Sequence, residues 1–252
     1  MRVKLDNNVV FLTGATSGFG EAIVHCLSQA GAPVAIHFNR NRQKAEVLQN
    51  EIGNDSQIFQ ADLNNADETV KLFEEAIRVY GRIDTIVNNA GVYLSSPIED
   101  RNTDWLDVWD RTLKTNLTSA GLLYKLSIQH FIKCGGGRII NIASRAAFRG
   151  DSEDYFAYAA SKGWMVALTR TIARAYGKDN VKAFIIAPGF VRTPMAEEYF
   201  KTHGEESVIN ELSLKQLTEP ADVAPSVVFL ASGMMDHATG CTIDINAGSY
   251  VR

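Results

Sequence analysis

Residues 9–20 read VVFLTGATSGFG, an apolar run that leads directly into three closely spaced glycines. A helical pattern containing Ile23, Val24 and Leu27 follows them. Glycines behind a buried strand permit a tight turn, and they let backbone N–H groups at a helix start approach a pyrophosphate. The spacing is G-x-x-x-G-x-G, so an ordinary strand-to-helix turn is the alternative. The context favours a dinucleotide site with the candidate residues Gly14, Thr16, Ser17, Gly18, Phe19 and Gly20.

Apolar, β-branched runs of the same kind recur along the chain. Between them lie longer segments with apolar residues at helical spacing, for example Val70, Phe73 and Ile77. This alternation implies right-handed crossovers and a parallel sheet covered on both faces. The predicted class is α/β, a doubly wound parallel sheet of about seven strands with helices on both faces (Rossmann fold). The predicted strands are Val9 to Leu12, Val34 to Phe38, Gln57 to Gln60, Thr85 to Val87, Arg138 to Ile142, Val181 to Ile186 and Thr242 to Ile245.

The composition fits one globular domain over residues 1–252. Of these residues, 46% are hydrophobic and 21% are charged, so disordered, collagen-like and coiled-coil classes fit poorly. Twenty-five basic and 29 acidic side chains give a net charge of -4, which provides no general field for a nucleic-acid backbone. Nucleic acid is therefore not expected as a partner.

The apolar runs are far shorter than the roughly 20 residues that span a bilayer, and residues 1–8 hold no signal-peptide core. The sequence predicts a soluble, cytoplasmic protein with no membrane partner. Three scattered cysteines form no CxxC pair and no histidine shows ligand spacing, so no metal site is predicted. Solvated or capping roles are expected for the histidines, which are His25, His37, His130, His203 and His237.

The end of the second predicted strand bears on the choice between NAD(H) and NADP(H). Folds that bind NAD commonly place an acid there against the ribose 2′-hydroxyl, but this chain reads His37-Phe38-Asn39-Arg40-Asn41-Arg42. Arg40 and Arg42 could form charge-assisted bonds to a 2′-phosphate, unless they are simply solvated residues at a helix start. NADP(H) is favoured, with NAD(H) as the alternative. Asp62, after the third strand, is a candidate for contact with the adenine.

Tyr158 and Lys162 stand four residues apart in a helical stretch, so their side chains share one face. Chance or an amphipathic surface helix would also give such a pair. Ser144 adds weight because it follows the apolar strand Arg138 to Ile142, and the carboxyl ends of strands form the ligand crevice in open α/β sheets. The three side chains are therefore candidates for one substrate site.

Further motifs stand in order along the chain. They are Asp62-Leu63, Asn88-Asn89-Ala90-Gly91, Asn116, Asn141-Ile142-Ala143-Ser144, and Pro188-Gly189 followed by Val191 and Thr193. With the glycine turn and the Tyr158–Lys162 pair, this set resembles the short-chain dehydrogenase/reductase family in its shorter, single-domain form. Within the family, the sequence is most similar to the 3-oxoacyl-[acyl-carrier-protein] reductases, through Pro188-Gly189-Phe190-Val191 and Glu219-Pro220-Ala221-Asp222-Val223-Ala224.

The resemblance implies a catalytic tetrad of Asn116, Ser144, Tyr158 and Lys162. Tyr158 would exchange a proton with the reacting oxygen, Ser144 would polarise the carbonyl, and Asn116 would hold a relay water. Lowering a phenol pKa from about 10 to about 7 takes roughly 4 kcal/mol. One ammonium at about 4 Å contributes roughly that amount at an effective dielectric of about 20. Lys162 is therefore the group expected to lower the pKa of Tyr158.

The resemblance also implies the cofactor contacts. Val191 and Thr193 would hold the nicotinamide amide, and Lys162 would bind the nicotinamide ribose. Beyond the glycine turn, the candidate cofactor residues are Asn39, Arg40, Asp62, Leu63, Asn88, Asn89, Ala90, Gly91, Tyr158, Lys162, Pro188, Gly189, Val191 and Thr193.

Some stretches depart from a regular pattern or from the family. The least regular runs from Pro188 to Ser213, and a mobile substrate lid is expected at about residues 190–213. Fourteen positions separate Ser144 from Tyr158, one more than is commonest in the family, so an altered substrate entrance is expected. The chain also reads Asn246-Ala247-Gly248-Ser249 where relatives often carry Asp-Gly-Gly.

The main functional hypothesis is an NADP(H)-dependent carbonyl reductase or alcohol dehydrogenase. Its leading substrate class is a 3-oxoacyl thioester, which an acyl carrier protein could present. A sugar, polyol or steroid-like alcohol dehydrogenase is the second hypothesis, and a non-catalytic cofactor-binding scaffold or regulator is the third. The resemblance also implies a homotetramer, with which the apolar helix from Trp164 to Ala175 is compatible.

Overall fold

Seven parallel strands form one sheet in the part of the chain that the structure, a computed structural model, describes. That part is residues 3–252, without the side chains of residues 195, 198, 202 and 203. The strands are β1 Val10–Leu12, β2 Val34–Phe38, β3 Gln57–Gln60, β4 Thr85–Asn88, β5 Gly137–Ile142, β6 Val181–Pro188 and β7 Thr242–Ile245. They are ordered β3-β2-β1-β4-β5-β6-β7 with parallel neighbours. The predicted fold class is confirmed.

Helices cover both faces of this sheet. They are α1 Gly18–Gln29, α2 Arg42–Ile52, α3 Ala66–Tyr80, α4 Asn102–Leu113, α5 Ser119–Cys134, α6 Ala146–Arg149, α7 Phe156–Tyr176, α8 Pro194–His203, α9 Glu205–Glu211 and α10 Pro220–Ala231. A π-helical turn, Lys114–Thr118, joins α4 to α5. Within residues 3–252, no helix has both the length and the apolarity that a membrane crossing requires.

Strand β1 shows how the sequence divides the core. Val10, Phe11 and Leu12 are fully buried, because helices cover both faces of the sheet. Side chains alternate along a strand, so Val10 and Leu12 pack in one cluster with Ile23 of α1. Phe11 packs in the opposite cluster, where its ring meets Phe73 of α3 edge to face at 5.4 Å between centroids. The strand pattern thus places one helical layer on each face.

The strand ends differ from the predicted ones by one or two residues. β1 begins at Val10, β4 continues to Asn88, β5 begins at Gly137 and β6 continues to Pro188. Backbone hydrogen bonds set these ends, whereas the prediction followed side-chain apolarity. The polar or small residues Asn88 and Gly137 are therefore part of the sheet.

The segment predicted to be least regular, Pro188 to Ser213, contains two helices, α8 and α9, so that expectation is wrong. The Thr193 hydroxyl accepts a hydrogen bond from the Ala196 N–H at 3.3 Å and caps α8. Glu197 and Lys201 are exposed, which explains the polar reading of the sequence. The two helices are held by a separate apolar cluster of Ala196, Phe200, Val208, Leu212 and Leu217.

Candidate active site

A cleft of about 690 Å³ opens at the carboxyl edge of the sheet. Its walls come from the loops that follow β1 to β6. Strands β2 and β3 are added on one side of β1 and strands β4 to β7 on the other, so the strand order reverses between β1 and β4. Ligands bind at such a point in open α/β folds. Three predicted site residues, Gly20, Asn88 and Asn116, are not on its walls. Those that line it are Gly14, Thr16, Ser17, Gly18, Phe19, Asn39, Arg40, Asp62, Leu63, Asn89, Ala90, Gly91, Ser144, Tyr158, Lys162, Pro188, Gly189, Val191 and Thr193.

The glycine turn after β1 depends on close backbone packing. Gly14 has a φ of +66°, and a Cβ there would lie 2.9 Å from the Cα of Ala90. The Ser17 hydroxyl accepts from the Gly20 N–H at 3.1 Å and donates to the Gly14 carbonyl at 2.8 Å, which caps α1. A Cβ on Gly20 would overlap the Gly14 carbonyl oxygen. Gly20 therefore permits the turn without lining the cleft.

The loop after β4 is tied to this turn. The Thr13 hydroxyl oxygen accepts from the N–H groups of Asn89 and Ala90, both at 3.0 Å. The Asn89 amide donates to the carbonyls of Thr13 at 2.9 Å and Gly14 at 3.1 Å. Backbone groups on both sides of this end of the cleft are thereby fixed relative to each other.

His37 lies beneath the turn, and the prediction of a solvated or capping role for it is wrong. The residue is 2% exposed. Its Nδ1 accepts from the Gly14 N–H and its Nε2 donates to the Ala61 carbonyl, each at 3.1 Å, which selects the neutral Nε2–H tautomer. Burial lowers the pKa of His37 to about 4. The available signal was a lone polar residue in the otherwise apolar run Val34–Phe38.

The end of the cleft beside β2 and β3 is rich in basic side chains. Arg40, Lys44 and Arg111 line it. Lys44 pairs with Glu21 at 2.7 Å, whereas Arg40 has no ion pair within 4.0 Å among the described residues. Hydrogen bonds from Asn64 and the nearby charge of Arg40 hold the pKa of Asp62 below its usual range. An anion at this end would meet more positive than negative charge.

Strand β5 and helix α7 bring the predicted reactive side chains together. Ser144 follows the end of β5, Tyr158 and Lys162 lie one turn apart on α7, and all three line the cleft. The Lys162 Nζ donates to the Ile142 carbonyl at 2.8 Å and lies 5.6 Å from the centroid of the Tyr158 ring. Ser144 is hydrogen-bonded to Tyr158. A hydroxyl, a phenol and an ammonium thus face one space.

Burial controls the ionisation of these groups. It raises the pKa of Tyr158 to about 12, while the Ser144 hydrogen bond lowers it and the Asp151 charge raises it. Burial also lowers the pKa of Lys162 to about 8. The prediction that Lys162 brings the phenol pKa to about 7 is wrong for this arrangement. The ammonium is held by the Ile142 carbonyl, and both groups are removed from water.

Asn116 lies behind the cleft wall, in the π-helical turn between α4 and α5. Its Oδ1 accepts from the Val92 N–H at 2.8 Å, and its Nδ2 donates to the Val92 carbonyl at 3.0 Å and to Ser161 Oγ at 3.2 Å. The amide therefore joins the loop after β4 to α7, next to Lys162. The sequence did not predict the π turn, a feature that often occurs at functional sites.

Asn88, another predicted cofactor contact, faces the core. Its Nδ2 donates at 2.9 Å to Oδ1 of Asn141, which stands opposite it in the β4–β5 register. The Tyr124 hydroxyl donates to the same oxygen at 2.8 Å, and the Asn141 amide donates to Thr169 Oγ1 at 2.7 Å. This buried network joins both strands to α5 and α7. Asn88 turns inward because it is still part of β4, whereas Asn89 belongs to the loop.

Tyr93 lines the far end of the cleft, and the sequence analysis did not single it out. Tyr93 stacks on Tyr155 at 3.8 Å and meets Tyr158 edge to face at 4.7 Å between ring centroids. The Tyr93 hydroxyl donates to Asp151 Oδ1 at 3.2 Å. Arg145 also lines this end. No local motif could reveal this wall, because its members come from separate segments of the chain.

The α8–α9 segment adjoins both ends of the cleft. Val191 and Thr193 line the cleft where β6 leads into α8. Arg192 lies between them in the chain and pairs with Glu205 of α9 at 2.6 Å and with Glu219 at 3.0 Å. These ion pairs join the segment to the start of α10.

The next question is whether the histidines and acidic residues form a metal site. In the part of the chain that the structure describes, no group of three or more His, Cys, Asp and Glu residues is placed to hold a metal ion. His130 Nε2 accepts from the Ile83 N–H at 3.0 Å. The prediction for His203 concerns a side chain outside the described residues.

The family follows from comparison with known proteins. The family model described as short chain dehydrogenase matches residues 8–204, a range that includes the glycine turn, Ser144, Tyr158 and Lys162. The chain belongs to the short-chain dehydrogenase family. The predicted family is confirmed, and this short-chain dehydrogenase is an oxidoreductase of a family that binds a nicotinamide cofactor.

Known relatives cover the whole length of this short-chain dehydrogenase. It is 31% identical to a 3-oxoacyl-[acyl-carrier-protein] reductase of Aquifex aeolicus, over 99% of this chain and 100% of that protein. It is 31% identical to a 7alpha-hydroxysteroid dehydrogenase of Bacteroides fragilis, over 99% of this chain and 96% of that protein. A crystal structure of a short-chain dehydrogenase/reductase, glucose/ribitol dehydrogenase, from Brucella melitensis matches with a TM-score of 0.89 at 30% identity, covering 100% of both chains. These names carry different substrates, so the similarity shows the family and not the substrate.

Proposed function

We propose that this short-chain dehydrogenase interconverts a carbonyl and a secondary alcohol with NADP(H), and that a 3-oxoacyl thioester is its leading substrate class. The observation that carries the proposal is the convergence of Ser144, Tyr158 and Lys162 in one cleft with the glycine turn. Proton transfer to a carbonyl oxygen requires a positioned acid and donors that stabilise the developing charge. Similarity to a 3-oxoacyl-[acyl-carrier-protein] reductase supports the substrate class.

The residues present fit a nicotinamide dinucleotide. The turn at Gly14 and the start of α1 present backbone N–H groups suited to a pyrophosphate. Asn89, Ala90 and Gly91 would hold the opposite side, while Val191 and Thr193 would contact the nicotinamide amide. When bound, the cofactor supplies or accepts the hydride. Asp62 and Leu63 would border the adenine, and Pro188 and Gly189 the nicotinamide.

Tyr158 is the proposed proton donor during reduction and the proton acceptor during oxidation. A phenol with a pKa of about 12 is protonated at neutral pH, the form that a donor requires. Ser144 stabilises the charge that develops on the substrate oxygen. Lys162, with a pKa of about 8, is mostly protonated at neutral pH, and its positive charge reduces the cost of forming the phenolate.

Asn116 is a positioning residue in this proposal. Its amide holds Val92 and Ser161, the neighbours of Gly91 and Lys162. A water held at Asn116 for proton relay stays a prediction.

The NADP(H) preference rests on charge beside β2. Arg40 lines the cleft without an ion pair within 4.0 Å among described residues, and Asn39 stands where an acid would hold a ribose 2′-hydroxyl. A guanidinium matches a phosphate group geometrically and electrically. Asp62 is the nearest acid on the described cleft wall, and its Oδ1 accepts two hydrogen bonds from Asn64.

The Tyr158→Phe variant tests the proposed chemistry. Its kcat for a carbonyl compound that the wild type reduces should fall about 10²- to 10⁴-fold, while NADPH affinity changes little. The matched control is Tyr176→Phe, at the far end of α7, which should retain turnover. Undiminished turnover by Tyr158→Phe would contradict the proposal. If the wild type binds NADPH tightly but does not consume NADPH with any of the carbonyl compounds tested, the result would support the scaffold hypothesis instead.

Oxidation of a steroid-like alcohol is the second candidate function. The aromatic rings of Tyr93, Phe190 and Tyr199 on the cleft wall offer apolar surface to a fused-ring substrate, and one relative is a 7alpha-hydroxysteroid dehydrogenase. Parallel assays of steroid alcohol oxidation and 3-oxoacyl thioester reduction separate the two functions. Sugar and polyol alcohols belong in the same oxidation assay.

Assembly, the lid and location complete the proposal. Trp164 of α7 and Leu106 of α4 are 37% and 52% exposed, which supports self-association through these helices. A homotetramer, a substrate lid at about residues 190–213 of a single domain, and a cytoplasmic location stay predictions. Light scattering measures the first of these.

A further inference from the structure

The connection between α6 and α7, residues 150–155, is fastened to the loop that follows β4. The Asp154 carbonyl accepts from the Ser96 N–H at 2.8 Å, and Asp151 Oδ1 accepts from the Tyr93 hydroxyl at 3.2 Å. Asp151 and Tyr93 both line the cleft. This connection, which lies within the unusually long spacing before Tyr158, therefore forms part of the wall beside the reacting groups.

The Tyr93 ring contacts two rings at the start of α7. It stacks on Tyr155 at 3.8 Å between centroids, with the planes 3° apart. It meets Tyr158 edge to face at 4.7 Å, with the planes 84° apart. Parallel stacking and edge-to-face packing are both favoured geometries for aromatic pairs. A movement of the Tyr93 ring would therefore disturb the ring of Tyr158.

The Tyr158 ring is held by groups on different sides. Its hydroxyl is hydrogen-bonded to Ser144. The Lys162 Nζ lies 5.6 Å from the ring centroid, but this ammonium donates to the Ile142 carbonyl. The aromatic contact that the structure describes for Tyr158 is the one with Tyr93. The direction of the phenol thus depends on Ser144 at its hydroxyl end and on Tyr93 beside the ring.

Tyr93 is in turn anchored by Asp151. Burial and the negative charge of Asp151 raise the pKa of Tyr93, so its hydroxyl stays protonated and donates. Asp151 Oδ1 also accepts from the Ser152 N–H at 2.9 Å, which orients the carboxylate. A hydrogen bond to a carboxylate is stronger than one to a neutral acceptor. A chain of contacts therefore runs from Asp151 through Tyr93 to Tyr158.

We propose that Tyr93 and Asp151 are positioning residues for Tyr158: Asp151 anchors the Tyr93 hydroxyl, and the Tyr93 ring holds the phenol in the direction of the reacting oxygen. This inference rests on the proposed proton transfer by Tyr158, and it applies to a 3-oxoacyl thioester as to other carbonyl compounds. A misplacement of about 1 Å can slow a reaction about 100-fold. Neither residue exchanges a proton with the substrate.

The kinetics of NADPH consumption with a carbonyl compound that the wild type reduces test the pair. Tyr93→Leu removes the ring and should lower kcat about 10- to 100-fold. Tyr93→Phe and Asp151→Ala each remove only the anchoring hydrogen bond, so each should lower kcat about 3- to 10-fold. Asp151→Asn keeps an acceptor and should recover most of that loss. Because positioning acts on the chemical step, KM should change less than about threefold in each variant.

A double variant separates a shared role from two independent ones. Tyr93→Phe combined with Asp151→Ala should match either single variant within about twofold, because both changes remove the same bond. Glu153→Ala, at an exposed acid two residues from Asp151, is the control and should keep the wild-type kcat. Melting temperatures are measured for all variants, and Tyr93→Phe carries the test if Tyr93→Leu unfolds.

The Tyr158 ring is also observed without turnover. In protein labelled with ¹³C-tyrosine, its NMR signal is the one that Tyr158→Phe removes. That signal should shift in Tyr93→Leu and in Asp151→Ala, but not in Glu153→Ala.

Three results would overturn the inference alone. They are a raised KM with unchanged kcat in Tyr93→Leu, which would show that Tyr93 only lines the substrate space, additive losses in the double variant, and a Tyr158 signal that does not respond to Tyr93→Leu. Turnover retained by Tyr158→Phe would overturn the proposed function and this inference with it.

Discussion

The two ends of the cleft are built from different parts of the chain. At the end next to β1, backbone groups are fixed by buried partners, as where His37 and Asn89 hold the turn at Gly14. At the far end, long charged side chains meet, with Glu211 of α9 pairing to Arg145, the residue before α6, and to Arg149 of α6. Water competes for the second kind of contact far more than for the first. We therefore expect the first end to be rigid and intolerant of change, and the second to be adjustable.

The Gly20→Ala variant should disrupt the rigid end most severely. The added Cβ would overlap the Gly14 carbonyl oxygen, so α1 would have to move away from the turn. Overpacking of this kind costs about 1–3 kcal/mol, and displaced N–H groups should weaken NADPH binding by at least about tenfold. Calorimetry and thermal unfolding measure the two effects. Gly177→Ala is the control, since a Cβ there meets nothing within 4 Å, and equal NADPH affinity in the two variants would contradict the expectation.

His37 should make the rigid end sensitive to acid. Its pKa is lowered from 6.5 to about 4 in the folded protein, so between these values the unfolded chain binds a proton that the folded one excludes. The contribution of neutral His37 to the free energy of unfolding is fully present above pH 6.5. It is lost as the pH falls towards 4, which lowers the free energy of unfolding by up to about 3 kcal/mol. Urea unfolding at several pH values measures this slope.

His37→Asn removes the titrating ring and should flatten the slope in that window. The exposed histidine of His237→Asn provides the control, which should follow the wild type. A slope in His37→Asn as steep as that of the wild type would show that other groups cause the acid sensitivity.

Arg40→Ala tests a long, exposed side chain at the first end of the cleft, where most of the groups that would contact the cofactor belong to the backbone. We expect NADPH to bind at least tenfold tighter than NADH to the wild type, and the variant to lose that margin, about 1.4 kcal/mol. Nicotinamide fluorescence titrations measure both affinities. NADH affinity should stay constant, and Arg78→Ala is the surface control. If NADH binds the wild type as tightly as NADPH, the preference is wrong and the second candidate function gains support.

Glu211→Gln should have the smallest effect on stability. The Glu211 carboxylate is half exposed, although its partner Arg145 is buried. Because glutamine keeps a side-chain oxygen as an acceptor, we expect a loss of about 0–1 kcal/mol, the range of exposed ion pairs. Urea unfolding at low and high salt checks this, since the difference from the wild type should shrink as salt screens the charges. A loss above about 2 kcal/mol would show that the far end is as rigid as the first.

The sequence predicted the rigid end well because its signals are local. The run Val10–Leu12 followed by Gly14, Gly18 and Gly20 specifies strand, turn and helix within about ten residues. The strands were also recognisable, because burial on both faces requires continuous apolar runs. Tyr158 and Lys162 share a helix face for an equally local reason.

The rest depended on contacts between distant segments. The burial of His37 and the position of Arg145 follow from tertiary packing that no spacing encodes. The helices α8 and α9 were missed because only a few apolar residues hold them. The pKa of Tyr158 was misjudged because burial of the phenol, which raises its pKa, is the largest effect on it and could not be seen in the sequence.

The Asn88–Asn141 pair also limits how this sheet can change over evolution. Replacing one asparagine leaves a buried amide without its partner and costs about 1–3 kcal/mol, and replacing both with apolar residues still leaves the buried Tyr124 hydroxyl without its acceptor unless Tyr124 changes as well. The double change would also remove a polar pair that favours one register of β4 against β5. A shift of that register by one residue would turn every side chain of a strand to the opposite face of the sheet. Drift at these two positions should therefore proceed by coupled substitutions, and variants with one asparagine should be short-lived intermediates.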